Sequence, residues 1–152
     1  MARLLVVHHT PSPALQEVLE RVVGGARDDA IDGVEVVLRP ALTASPVDVL
    51  EADGYLLGTP ANLGYLSGAL KHFFDAIYYP CLEATRGRPF GAWVQGNNDL
   101  AGALRALEAI TTGLGWQRAT PILQITGPLD PTLREACHEL GAVVAATVAP
   151  DG

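Results

Sequence analysis

At 152 residues, 49% of them hydrophobic, the chain is long enough to bury a substantial core and reads as one domain over residues 1–152, not as a disordered segment. Its formal charge of -7, with a single lysine among ten basic residues, argues against nucleic acid or an anionic membrane as a general partner. No apolar stretch reaches the ~18 residues of a membrane span, and Met1–Val7 reads as a first strand without a leader-type cleavage site, so no membrane insertion and a cytoplasmic location are expected.

In chain order the pattern alternates between strand and helix. Leu4–His8 is a short apolar run of the kind that forms a buried parallel strand. Ser12 stands as an N-cap with Pro13 at the first helical position, and Leu15, Val18, Leu19, Val22 and Val23 keep helical spacing until Gly24-Gly25 stops the run. Val34–Leu38 is a second, β-branched strand, Ser45-Pro46 opens a short helix to Leu50, and Gly54–Thr59 is the third strand. Ser67 caps the next helix, whose Leu70, Phe73, Phe74 and Ile77 form an apolar stripe, with Pro80 ending it or lying just beyond. Phe90–Val94 is strand four. Asn98 or Asp99 caps a helix with Leu100, Leu104, Leu107 and Leu114 inward, stopping near Gly113–Gly115. Pro121–Ile125 is the fifth strand, and Asp130-Pro131 opens a last helix to about Ala149, with Gly141 as its weak point. Five such alternations predict a three-layer α/β sandwich around a parallel sheet.

Three connections each follow a strand and end where a helix begins: His9–Pro13, Pro60–Ser67 and Gln95–Asp99. In a parallel sheet they emerge along the carboxyl edge, where helix N-termini and free amides gather ligands. Each also has a plainer reading. Ser12-Pro13 is an ordinary helix start, Asn62, Gly64 and Tyr65 can make a turn, and Gln95–Asp99 can be a polar turn with a cap. The eight residues of the second connection exceed the usual length of such a link, which favours a ligand role. His8 and His9 are adjacent on a strand and point to opposite faces, so they do not chelate one ion together. His8 reads as structural and His9 as lying nearer the loop, while His72 and His138 read as surface residues on helices. Cys81 and Cys137 have neither CxxC spacing nor a neighbouring base, so both read as packed free thiols.

The stretch from Ala52 to Asp75 carries a more specific signal. It resembles the flavodoxin-like superfamily, in particular its NADPH-dependent FMN reductase and NAD(P)H:quinone oxidoreductase branch. That branch reads A-D-G-hydrophobic-G-[ST]-P, a short loop with glycine, then [MLI]-S-G-x-[LM]-K-x-F-x-D. Gly91–Gly113 resembles the family's fourth strand, isoalloxazine loop and following helix. The resemblance spans essentially the whole chain and implies a five-stranded parallel sheet of order 2-1-3-4-5. The first connection departs from the family's [ST]-x-[ST]-G-x-T phosphate loop. Thr10 and Ser12 keep the first two hydroxyls, but Pro13 replaces the glycine and Leu15 the last threonine. Pro11 and Pro13 remove two amide donors. The amides of Ser12, Ala14, Leu15 and Gln16 remain, with the hydroxyls of Thr10 and Ser12, so FMN binding weaker than in a dedicated flavodoxin is expected.

The resemblance implies FMN as cofactor, its phosphate at Thr10, Ser12, Ala14, Leu15 and Gln16. The ring would lie against Pro60, Ala61, Asn62, Leu63, Gly64 and Tyr65, with the Ala61–Leu63 backbone near N5 and O4. The amides of Gln95, Gly96, Asn97 and Asn98 would face O2 and N1, where negative charge develops on reduction. The implied activity is NAD(P)H-dependent: NADPH or NADH, as a transient reductant, passes hydride to FMN, which then reduces a quinone or similar small-molecule acceptor. No catalytic side chain is required. The helix after Ser67 would pair subunits into a homodimer or homotetramer. Two alternatives stand beside this reading. The acidic charge fits a flavodoxin-type electron carrier, although Gln95–Asp99 lacks the aromatic residue such carriers use. The altered first loop fits a flavin-free flavodoxin-like interaction module.

Overall fold

The leucine- and valine-rich runs of the sequence form the centre of a parallel sheet in the computed structural model, which describes residues 1–150. The elements are β1 (Ala2–His8), α1 (Pro13–Ala26), β2 (Val34–Pro40), α2 (Pro46–Glu51), β3 (Gly54–Asn62), β4 (Tyr65–Leu66), α3 (Gly68–Cys81), β5 (Pro89–Gly96), α4 (Ala101–Leu114), β6 (Gln117–Arg118), β7 (Leu123–Thr126) and α5 (Pro131–Val148). The sheet runs β2-β1-β3-β5, with β6 and β7 both parallel to β5. Among the principal strands this is the expected order 2-1-3-4-5. The fifth position, expected as one strand over Pro121–Ile125, is shared by two short strands. Pro121 lies between them and has no N–H to offer the ladder.

The two faces of the sheet are covered differently. On one, Leu4, Val6, Leu56 and Trp93 pack against α1 and α5. On the other, Tyr55, Phe73, Phe74, Phe90 and Trp116 form an aromatic layer beneath α2, α3 and α4. Tyr55 stacks on Trp116 with ring centroids 4.0 Å apart. Its hydroxyl donates to the Val49 carbonyl at 2.7 Å, and burial pushes its pKa up to about 12. Cys81 and Cys137 are buried free thiols, both pushed up by burial. His72 is exposed, and His138 is half-buried with Nε2 3.1 Å from Asp28 Oδ2.

Several boundaries differ from those the residues predict. Gly24-Gly25 does not stop α1, and Gly141 is no weak point of α5. A Cβ on Gly25 would overlap the His138 carbonyl, and one on Gly141 would overlap the Val22 carbonyl, so the two helices approach through reciprocal glycines. Pro80 sits inside the last turn of α3, which ends one residue later at Cys81. Strand β5 continues through Gln95 and Gly96. Leu100 takes the cap position of α4 with no side-chain cap bond, while Asp99 Oδ1 accepts from the Ala101 amide at 2.9 Å. Strand β3 extends to Asn62, so most of the second connection is a hairpin and not a loop. No helix among the described residues is long and apolar enough to cross a membrane.

Candidate functional site at the carboxyl edge

The first connection leaves β1 at His8 and is drawn into α1 by Ser12, whose extended backbone (φ -141°, ψ 159°) precedes Pro13 at the first helical position. Ser12 Oγ accepts from the Leu15 amide at 3.3 Å, and the Ser12 carbonyl accepts from the Gln16 amide at 3.0 Å. The amides of Leu15 and Gln16, expected to face a phosphate, are thus engaged in starting the helix. Those of Thr10, Ser12 and Ala14 have no partner among the described residues. Thr10 Oγ1 lies 3.1 Å from His8 Nδ1. The His9 amide donates to the Gly58 carbonyl at 3.1 Å, while its Nδ1 is buried without a partner. His8, His9, Thr10 and Pro11 line a cavity of about 220 Å³ together with Leu42 and Ala69.

The second connection is a hairpin. Ala61 pairs with Leu66 and Asn62 with Tyr65, across a turn in which both Leu63 (φ 51°) and Gly64 (φ 76°) are left-handed. Thr59 Oγ1 anchors its base, donating to the Pro60 carbonyl at 2.7 Å and accepting from the Ser67 amide at 2.9 Å. Ser67 Oγ in turn accepts from the Leu70 amide at 3.1 Å and caps α3. Leu63 is fully exposed and Tyr65 is 41% exposed.

The third connection packs directly on that hairpin. Pro60 and Gln95 are register partners on β3 and β5. A Cβ on Gly96 would fall 3.1 Å from the Ala61 Cβ and 2.8 Å from Leu100 Cδ2, and one on Gly102 would overlap the Gly64 carbonyl. Glycine at both positions is what lets the hairpin rest on the start of α4. Gln95 Oε1 is buried and unpartnered. Gln95, Asn97 and Ala14 line a second cavity, of about 360 Å³, with Glu17, Gly127 and Arg134. Arg134 Nε is 3.0 Å from Glu17 Oε2, and this pair holds the Glu17 carboxyl below the usual carboxylate range. The structure therefore joins Ala14, in the first turn of α1, to Gln95 and Asn97 of the third connection, and Ala61 to Gly96. Leu15 contributes a buried core side chain, and Gln16 is exposed on α1. Gly102, Gly127 and Arg134 were not legible as site residues. The one available signal was the Gly127-Pro128 turn before α5, a fourth connection at the same edge.

No family model matches the chain. A flavodoxin of Aquifex aeolicus (strain VF5) is 38% identical over 77 residues, which cover 51% of this chain and 40% of that protein. An NAD(P)H dehydrogenase (quinone) of Acidithiobacillus ferrooxidans is 28% identical, with 49% of this chain and 46% of that protein covered. The chain thus matches less than half the length of either curated relative. Among solved structures, a flavodoxin, WrbA-like protein from Agrobacterium tumefaciens shares the fold with a TM-score of 0.77 at 21% identity, covering 97% of this chain and 98% of that one. By strand order, helix placement and this likeness to solved structures, the chain has the flavodoxin-like fold, and in sequence it is similar to a flavodoxin and to an NAD(P)H dehydrogenase (quinone).

Proposed function

We propose that the chain binds FMN at this carboxyl edge and works as an NAD(P)H-dependent reductase of a quinone or similar small-molecule acceptor. The observation that carries the reading is the close seating of the second connection on the third, Ala61 against Gly96 and Gly64 against Gly102, with the open amides at the start of α1 following the neighbouring strand β1. The residues present fit the cofactor. The Thr10 and Ser12 hydroxyls and the Ser12 and Ala14 amides would hold its phosphate at a helix N-terminus. The buried, unpartnered Gln95 Oε1 is an acceptor in need of a donor, which the flavin's N–H and ribityl hydroxyls are able to supply.

Bound FMN supplies reversible uptake of two electrons, or of one at a time. The chain's part is to hold, orient and polarise. The hairpin would wall one side of the ring, and amides at Gly96, Asn97 and Asn98 would stabilise negative charge beside it. Tyr65 is the aromatic residue of these connections, and Gln95–Asp99 contains none. That leaves an open approach for a nicotinamide and favours the reductase. The flavodoxin-type carrier is the second reading, favoured by the 38% identity to a protein of that name and by the charge of -7. Adding NADPH anaerobically to the FMN-loaded protein separates the two. A reductase bleaches the flavin absorption within seconds and recovers it on addition of a quinone. A carrier is bleached by a chemical reductant but not by NADPH. Assembly into a homodimer or homotetramer is part of this proposal, and sedimentation tests it.

A further inference from the structure

The first connection has lost amide donors to Pro11 and Pro13, and the Thr10 hydroxyl that remains is already bonded within the chain. Its partner is His8 Nδ1, 3.1 Å away. Which of the two donates depends on the imidazole proton. With Nδ1 bare, the hydroxyl gives its only proton to the ring and shows an anion nothing but lone pairs. With Nδ1 protonated, the ring donates and the hydroxyl proton is free to point at an anion.

We propose that His8 is a positioning residue for the FMN phosphate: a proton taken up on Nδ1 turns the Thr10 hydroxyl toward the phosphate, so that phosphate binding and His8 protonation are coupled. This rests on the FMN reading of the site. The surroundings of His8 suit such a coupling. The ring is half-buried, and its register partners are Pro40 on β2 and Gly58 on β3. Pro11, Ala41, Leu42 and Ala69 around the adjoining cavity carry no charge. The next charged side chain on β2, Arg39, lies 3.5 Å from Asp48 and is paired there. The titratable group that acts on His8 is His9, and burial first, then His9, hold the His8 imidazole below the ordinary histidine range. Among the described residues no carboxylate faces the ring, and the dianion of a bound phosphate would supply the counter-charge. Linkage makes the effect reciprocal: the factor by which protonation tightens phosphate binding equals the factor by which phosphate raises the proton affinity of His8.

The experiment compares FMN with riboflavin, which lacks the phosphate, on the purified full chain by fluorescence titration. It runs from about pH 8.5 down to about pH 6.5, above the second ionisation of a phosphate monoester near ~6. FMN is expected to bind about fivefold more tightly at the lower end, with riboflavin unchanged. In His8→Phe the FMN affinity is expected to be flat over the same range. Should that variant fail to fold, the His8 ring of the wild-type protein is followed by NMR with and without saturating FMN, and its pKa is expected to rise on binding. FMN affinity equally flat in both proteins, or a His8 pKa unmoved by FMN, overturns the coupling and leaves the FMN site standing. No saturable FMN binding at any pH overturns both.

Discussion

The two flanks of the crevice are built by opposite means. On the flank of the hairpin and the third connection, glycines admit close neighbours: Gly102 admits the Gly64 carbonyl, and Gly96 admits the Ala61 methyl and the Leu100 side chain. On the flank of the first connection there is no such brace. Pro11 and Pro13 restrict the torsions, Ser12 spends its hydroxyl on capping α1, and His8 holds Thr10. One flank thus owes its shape to close packing that tolerates no added atom. The other owes its shape to torsional restraint and offers few donors. Substitution of the braced flank should alter shape, and substitution of the other should act chiefly on the strength of anion binding, with Ser12 also contributing to α1 as its cap.

The sharpest way to break this contrast is Gly102→Ala. Helix propensity alone predicts that alanine stabilises α4 by about 1 kcal/mol. Overlap with the Gly64 carbonyl predicts instead a loss of about 1–3 kcal/mol, together with a tenfold or greater loss of FMN affinity as the hairpin shifts. Denaturant midpoints and FMN titration measure both. A variant more stable than the parent, with unchanged affinity, would show that the brace does not exist.

On the opposite flank, Thr10→Ala with Ser12→Ala removes hydroxyl donors to a charged group, each worth about 1.5–3 kcal/mol. FMN is expected to bind at least tenfold more weakly, with riboflavin unaffected. An equal loss for both ligands would place the effect in folding, to which Ser12 contributes about 1 kcal/mol as the cap of α1.

Leu63→Asn is a smaller test. The side chain is fully exposed and its backbone left-handed, a conformation that costs a leucine about 1–2 kcal/mol and an asparagine less. The variant is expected to melt a few degrees higher. A lower melting temperature would mean that Leu63 packs on something in solution.

The smallest effect lies in the ligand-free protein. Folding lowers the His8 pKa below its ordinary 6.5, so the unfolded chain binds this proton more readily. His8's share of stability is therefore fully present above pH 6.5 and declines as pH falls through 6.5 toward the folded pKa. His8→Phe should remove that part of the pH profile of the denaturation midpoint, and an unaltered profile would contradict the assignment. FMN is expected to act on His8 in the opposite direction, so the two profiles together sharpen the contrast between empty and loaded site.

Much of this architecture is legible in one dimension. Apolar runs mark β1, β3 and β5, the pairs Ser12-Pro13, Ser45-Pro46 and Asp130-Pro131 open their helices where expected, and all three cap side chains accept a backbone amide. What escapes are features that need two distant positions at once. The hairpin is hidden because its turn is Leu-Gly, not Asn-Gly, and because Pro60 reads as a strand breaker. Gly25 and Gly141 look like interruptions until each is seen facing the backbone of the other's helix. Gly102 carries no signal of its own within its helix, and the partner that explains it lies 38 positions earlier at Gly64 (102 minus 64). The split of the fifth strand follows from Pro121, which is visible, but the pairing of both halves with β5 is not.

The most direct test of the account is a titration of the purified chain with FMN, following quenching of flavin fluorescence and the shift of its visible absorption, in parallel with Gly102→Ala and the Thr10/Ser12 double variant. The account predicts saturable binding, micromolar or tighter, lost through the hairpin flank for both FMN and riboflavin and weakened through the first connection for FMN alone. Absence of saturable binding by the parent chain at high FMN would contradict it and leave the flavin-free interaction module as the better reading.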